Sequence, residues 1–368
     1  MNKNVIKASL FGLLIGMPRA MYPQFDPGDW SATLLGDVKV REEEIWTDPR
    51  VKRDYVADVI ALQTIISHQT AVLGPVIDAK KRGAAVSVTW LDVSNIATQA
   101  CTVLCTLTGV QLQTQKADID LLLCREATPI KISTQEFLNN AEGKADVLAR
   151  AKLKQAKELD EYLCQQALAK LILAGGTNEA PVTEYEEVVS SAGTNIQNQY
   201  WDEMLIPYFE LVAKLNHIGN PYFLHGMNFW FQQQAAAAKA LNADEKSGLA
   251  LLSRFDHTWD PVNMTAAGAS NLSLMIDAPS VAFASLNFYT PNMVSPVADY
   301  YQYSYPSRNL PGVVYDVEVQ IRCEVVSGVK HFFEYHTMKC PKFDLIQNQA
   351  NYLSTNTGVL EFYKVADV

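Results

Sequence analysis

Four residues toward the C-terminal end carry side chains that could hold a metal ion: Cys323, His331, His336 and Cys340. Thiolates and imidazoles are ligands that suit Zn²⁺. Seven, four and three residues intervene between them. On a regular strand His331 and His336 face opposite sides, because their separation is odd. The four read as scattered strand residues, and no metal site is expected. A cysteine–histidine nucleophilic pair could be drawn from the same set, but nothing singles one out. His225 sits beside Gly226 and His257 close to Trp259, in loop-like sequence where ordinary hydrogen bonding is the expected role. Cys101 and Cys105 would share a face in either a helix or a strand and are expected in a core. The six cysteines, at 101, 105, 124, 164, 323 and 340, form no Cys-x-x-Cys pair. Free thiols are expected, not a disulfide framework. No Walker A, dinucleotide-binding glycine, Gly-x-Ser-x-Gly or His-Glu-x-x-His pattern occurs. Asn263-Met264-Thr265 and Asn271-Leu272-Ser273 fit the glycosylation sequon, which has no meaning without secretion. The expectation is no catalytic residue, no cofactor and no metal.

The elements that would position any site centre on one helix. From Thr128 the chain reads TPIKISTQEFLNNAEGKADVLARAKLKQAKELDEYLCQQALAKLILAGG. A strand-like run, Pro129 to Ser133, leads through a Ser/Thr start signal into a helix of about 30 residues. Gly175 and Gly176 can take positive φ and end it. At 100° per residue Ala145, Ala149, Leu153, Ala156, Leu159, Leu163, Ala167 and Leu171 share one sector. Asp160 is a charge inside that sector, while Arg150, Lys154, Lys157, Glu158 and Glu161 lie outside it. Ala and Leu are strong helix formers, and Ala lets another element approach closely. A helix this long and charged suits a spine packed against copies of its own chain.

Before the spine, residues 1–47 read as an arm, because Pro18, Pro23, Pro27, Gly28 and Gly36 break any long element. Lys3 and Lys7 precede an apolar run, Ala8 to Met17, which resembles a signal peptide. No good cleavage site follows it, and the run is too short to span a bilayer. The expected role is docking on a partner. Asp48-Pro49 caps a helix expected to continue to about Leu73, with Pro75 ending it. Lys80 to Gly83 is a turn, and Ala85 to Val93 alternates as a strand. Cys101 to Thr128 reads as a two-stranded extended loop returning through LLLCREATPIKIS.

Beyond the spine, Thr183 to Ala192 is a short element. Asn198 to Lys214 is expected to be helical, bent at Pro207. Asn220 to Gly226 is a turn, a short buried strand and a turn, and Asn228 to Leu241 is a helix. Leu272 to Asn287 and Gly312 to Lys339 read as strands, with Val313, Tyr315, Val317, Val319, Ile321 and Cys323 on one face. No internal repeat is visible.

At 368 residues the chain exceeds one core and suggests two or three folded units. It is 48% apolar and 19% charged, a globular composition. Low charge, with 16 Tyr and 14 Phe, favours surfaces buried against other chains. The net charge of −10 excludes a general pull toward nucleic acid, and no stretch is basic enough to read as a DNA-binding arm, Arg50 to Arg53 coming nearest.

The order of elements resembles that of the major capsid proteins of tailed bacteriophages, the Hong Kong 97-type capsid fold. Three segments carry the resemblance. PIKISTQEFLNNAEGKADVLARAKLKQAKELDEYLCQQALAKLI is similar to that family's strand-to-spine junction. WDEMLIPYFELVAKLNHIGNPYFLHGMNFWFQQQAAAA is similar to its axial-domain helix, Asn-Pro strand and next helix. GVVYDVEVQIRCEVVSGVKHFFEYHTMKC is similar to its returning peripheral strands.

The resemblance implies an α+β fold with an arm at 1–47 and a helix and strand at 48–100. It then implies an extended loop at 101–132, a spine helix with peripheral domain at 133–194 and an axial domain at 195–300. Returning peripheral strands and a tail fill 301–368. It implies no enzyme activity but self-assembly into hexamers and pentamers of an icosahedral virion head, assembled in the host cytoplasm around double-stranded DNA. Scaffolding, portal or accessory capsid proteins are the implied partners, with no membrane; some relatives crosslink through a Lys and an Asn, but no such pair can be placed in this sequence and none is expected. On the residues alone, a motif-poor hydrolase using His225 or His257 stays open. So does another virion component of portal, tail or jelly-roll type.

Overall fold

The computed structural model describes residues 32–69, 72–73, 87–92, 113–118, 125–133, 141–173, 187–190, 193–196, 212–214, 218–227, 255–286, 300–340, 342–347 and 358–364. In chain order the elements begin with helices α1 (Ala32–Thr47), α2 (Pro49–Lys52) and α3 (Ile60–His68). Strands β1 (Val72–Leu73), β2 (Ser87–Asp92), β3 (Gln113–Asp118) and β4 (Ile130–Ser133) lead to α4 (Ala141–Leu173). Then come β5 (Glu187–Ser190), β6 (Gly193–Ile196), β7 (Pro221–His225), β8 (Asp256–Trp259) and α5 (Pro261–Ala266). Strands β9 (Leu272–Asp277), β10 (Val281–Leu286), β11 (Tyr300–Pro306), β12 (Val314–Val326), β13 (Val329–Lys339), β14 (Lys342–Gln347) and β15 (Val359–Lys364) complete the chain. The content is α+β, as expected.

Two compact units divide the chain, one from residues 1–57, 122–160 and 287–342 and the other from 58–121, 161–286 and 343–368. The first is built on a sheet ordered β11-β12-β13-β4, antiparallel throughout. A two-residue turn joins β12 to β13, with Ser327 and Gly328 both at positive φ (52° and 80°). That geometry matches the right-handed twist of a hairpin. Alternation along β12 puts Tyr315, Val317 and Val319 into the core, as the sequence predicts. Helix α1 contributes Val38 and Ile45 to a core shared with Ile132, Ala145, Leu148, Ala149 and Leu153.

That helix corrects the reading of 1–47 as an arm throughout. Residues 1–31 lie outside the described residues, but 32–47 are helical, straight through Gly36. The helix expected from Asp48 to Leu73 is also interrupted. Asp48 does cap α2, accepting from the Arg50 N–H at 3.0 Å. The chain then turns at 53–55, and the Ala57 N–H donates to Asn309 Oδ1 (3.3 Å) instead of to its own helix. A distant side chain has replaced a helical bond, which no local propensity reports.

The second unit carries a six-stranded sheet ordered β5-β6-β15-β9-β7-β8, mixed in direction. Strand β7 is buried along its length except at Pro221, as the sequence predicts. Its core joins Val212, Ala213, Ile218, Phe223, Met275, Leu360 and Phe362. Three sequence expectations change here. The strand expected from Leu272 to Asn287 is β9 and β10, separated by a 3₁₀ turn at Ala278–Ser280 that contains Pro279. Strand β15 pairs with β9 and β6, so 343–368 group with this unit and not with the returning strands of 301–342. Within 101–132, β3 pairs with β2, antiparallel from Ser87↔Asp118 to Asp92↔Gln113, so the extended two-stranded element draws one strand from before residue 101. Cys101, Cys105, Cys124, residues 198–211 and the 228–241 segment lie outside the described residues.

Candidate functional site

The spine helix is the feature that any reading of function must explain. All eight apolar residues assigned to its stripe are buried, and so is Asp160, which is 0% exposed. Hydrophobicity alone does not put a carboxylate there. Asp160 accepts hydrogen bonds from Ser307 Oγ (2.8 Å), Asn309 Nδ2 (2.8 Å) and the Tyr315 hydroxyl. The donors come from the β11–β12 connection and the start of β12. Burial, then the neighbouring Asp160 charge, push the Tyr315 hydroxyl well above its ordinary value, so it stays a donor.

Three further polar side chains of α4 are buried in the first unit. Lys144 Nζ donates to Glu334 Oε1 at 2.8 Å, a pair almost without solvent contact. Lys152 Nζ lies 4.7 Å from the centre of the Tyr303 ring, a cation–π arrangement. Burial pushes the Lys152 ammonium down to about 8, against the pull of Glu42. Burial raises Glu42 in turn, against Lys152 and Arg308. Gln155 Nε2 donates to the carbonyls of Thr128 (2.7 Å) and His336 (3.3 Å). A purely apolar Ala/Leu stripe tolerates rotation and sliding on a sheet. These directional contacts, to β13, β11, the approach to β4 and the β11–β12 connection, set one register.

In the second unit the structure brings His225 and His257 together. Their strands are parallel neighbours, with Phe223 opposite His257 and His225 opposite Trp259. His225 Nε2 lies 2.8 Å from His257 Nδ1, and His225 Nδ1 lies 2.6 Å from Ser273 Oγ. Phe223 stacks on the His257 ring at 4.9 Å. His257 Nε2 is buried without a hydrogen-bond partner. The tautomers that leave a lone pair there, instead of an N–H, run His257 Nδ1–H to His225 Nε2 and His225 Nδ1–H to Ser273. Burial holds His225 well below its ordinary value and His257 down at about 4, so both rings are neutral at pH 7. This Ser–His–His chain superficially suggests a nucleophile and base. Ser273 is completely buried, however, and among the described residues no carboxylate hydrogen-bonds the far histidine. The chain pairs Ser273 and three of the four imidazole nitrogens inside a sheet.

The cysteine–histidine set is not brought together. His331 lies opposite Glu324 and His336 opposite Val319, on opposite faces of the sheet. Cys323 lies opposite Phe332, about 14 Å along the ladder from His336 at ~3.4 Å per residue. Cys340 is buried past the end of β13, and Cys323 is exposed. Among the described residues no three potential ligands cluster, and no helix is long and apolar enough to cross a membrane.

No protein-family model matches the chain, and no curated protein matches it. Solved structures do resemble it. One from Mycobacterium phage Adephagia is 11% identical, with 83% of this chain and 91% of that chain covered, at a TM-score of 0.41. One from Mycobacterium phage Che8 is 10% identical, covering 80% and 92%, at 0.39. The capsid of Myoviridae phage XM1 is 11% identical, covering 81% and 93%, at 0.37. These are distant likenesses, and the functional reading rests on the chain's own strands and spine.

Proposed function

We propose that this chain is the major capsid protein of a tailed bacteriophage, a structural subunit and not an enzyme. The observation that carries this reading is the β4–α4 junction. A short strand completes the edge of the long β11–β13 sheet, and a 33-residue helix follows whose N-terminal half shares a core with Ile132 of that sheet and makes buried polar contacts to it. Such a rigid spine positions a sheet for contacts between subunits. On this reading copies form hexamers and pentamers that tile an icosahedral head around double-stranded DNA. The β2–β3 element reaches over a neighbour, residues 1–31 bind another, and 195–300 supply the axial domain. A net charge of −10 suits a shell that must not grip the genome it holds. Scaffolding, portal and accessory proteins are the partners on this reading, and assembly takes place in the host cytoplasm.

The test is negative-stain microscopy with sedimentation of the full-length chain. Uniform hollow particles tens of nanometres across are expected on the order of megadaltons in mass, far above the monomer. Deletion of residues 2–31 should stop assembly and leave folded subunits. The deletion ends before α1 because Val38 and Ile45 belong to the core. A full-length chain that stays monomeric at every concentration would overturn the reading.

A further inference from the structure

Strands β12 and β13 extend past both of their neighbours. Among the described residues β11 pairs as far as Gln320, and β4 pairs with Phe333 to His336. Among the described residues Ile321–Val326 and Val329–Phe332 therefore form a two-stranded finger. Six residues of strand span about 20 Å. The finger ends in apolar residues turned to solvent, with Val325 67%, Val326 45% and Val329 56% exposed. A two-stranded ribbon is marginal by itself, and a strand edge with free N–H and C=O groups is a template for another strand.

The outer edge of β12 is complementary to itself. About Cys323 as centre, Arg322 and Glu324 are opposite charges at equal distance, and Ile321 and Val325 are apolar residues at equal distance. Antiparallel pairing of two identical edges with Cys323 on the axis sets Arg322 of each copy against Glu324 of the other. Ile321 of each copy then meets Val325 of the other. Opposed residues in an antiparallel pair have side chains on the same face, so these contacts form. The outer edge of β13 has no such symmetry, since Lys330 and Phe332 flank His331. Charge complementarity thus selects a second copy of this chain as the occupant of the β12 edge.

We propose that residues 321–325 of β12 pair with the same residues of a second copy about a two-fold axis at Cys323. The proposal deepens the shell reading by naming a contact between subunits, and it is isologous, as a two-fold contact must be. Glu324 already accepts from Lys131 and from the Tyr335 hydroxyl, which holds its carboxylate in place for a further donor.

Opposed residues of an antiparallel pair have Cα atoms about 4.5–5.5 Å apart, a distance a disulfide spans. Mild oxidation of the full-length protein with diamide, read on a non-reducing gel, should therefore give a covalent dimer. Cys164 and Cys340 are buried, and a Cys323→Ser variant should abolish the dimer. Arg322→Glu and Glu324→Arg should each abolish it too, by placing like charges together. The double swap should restore it, which misfolding or generic stickiness would not do. Absence of a Cys323-dependent dimer, or dimers in the single swaps equal to wild type, overturns the pairing. Sedimentation of the same samples reads the shell separately. Particles without the dimer refute the pairing and leave the shell. Dimers without particles leave the pairing and count against the shell, and neither species refutes both.

Discussion

Replacing Asp160 by Ala removes the acceptor for three donors at once, from Ser307, Asn309 and Tyr315. A hydrogen bond to a charged group contributes about 1.5–3 kcal/mol net, so simple addition gives a ceiling of about 4.5–9 kcal/mol. Two effects oppose it. The variant no longer buries a carboxylate, which costs several kcal/mol in the native protein. Ala is also a better helix former than Asp by about 0.5–0.7 kcal/mol. The net expectation is a loss of about 3–5 kcal/mol, the range for breaking a buried charged network. Tyr315→Phe removes one donor and keeps the acceptor, so it should cost about 1.5–3 kcal/mol. Together the two should be less damaging than their sum by about 1–3 kcal/mol, because the Tyr315→Phe change leaves no hydroxyl stranded when the carboxylate is gone. The assay is urea unfolding of unassembled subunits, followed by circular dichroism, for wild type, both single variants and the double. A loss below about 1 kcal/mol for Asp160→Ala, or strict additivity, would refute the idea that Asp160 organises the β11–β12 connection.

Lys144→Met should cost about 3–5 kcal/mol by leaving Glu334 buried without its cation, and adding Glu334→Leu should recover most of it in the same assay. The histidine pair makes the second unit acid-sensitive. The folded value of His257, about 4, lies below the unfolded 6.5, so the unfolded state binds more protons as pH falls. Its stabilisation is present above pH 6.5 and lost between 6.5 and 4, by about 3 kcal/mol at 1.36 per unit. His225 shifts in the same direction, and His257→Phe should flatten the stability–pH curve over that window. At Gly226 an added Cβ would meet the Ala269 carbonyl oxygen at 2.5 Å and that of Ser270 at 2.6 Å. Gly226→Ala should therefore lower the urea midpoint, with a cost of about 1–3 kcal/mol or more.

The spine shows where sequence and structure divide the work. Its helix, its length and its apolar face follow from 3.6-residue periodicity and Ala/Leu propensity, both local, and the eight stripe residues are buried as that pattern requires. Alternation likewise placed Tyr315, Val317 and Val319 in the core, and Asn-Pro before an apolar run located β7. What failed in the sequence depended on partners far along the chain. The interruption after α2 involves Asn309, and burial of Lys144 depends on Glu334, 190 residues away. The meeting of His225 and His257 depends on a parallel pairing of β7 with β8. The pairing of β15 with β9 decided that the C-terminal strand joins the second sheet. Periodicity told which face of α4 is buried but ranked Asp160 as an exception to it. Only the fold supplied the three donors that turn that exception into a fixed point, because a buried charge is stable where its hydrogen-bond partners converge and nowhere else.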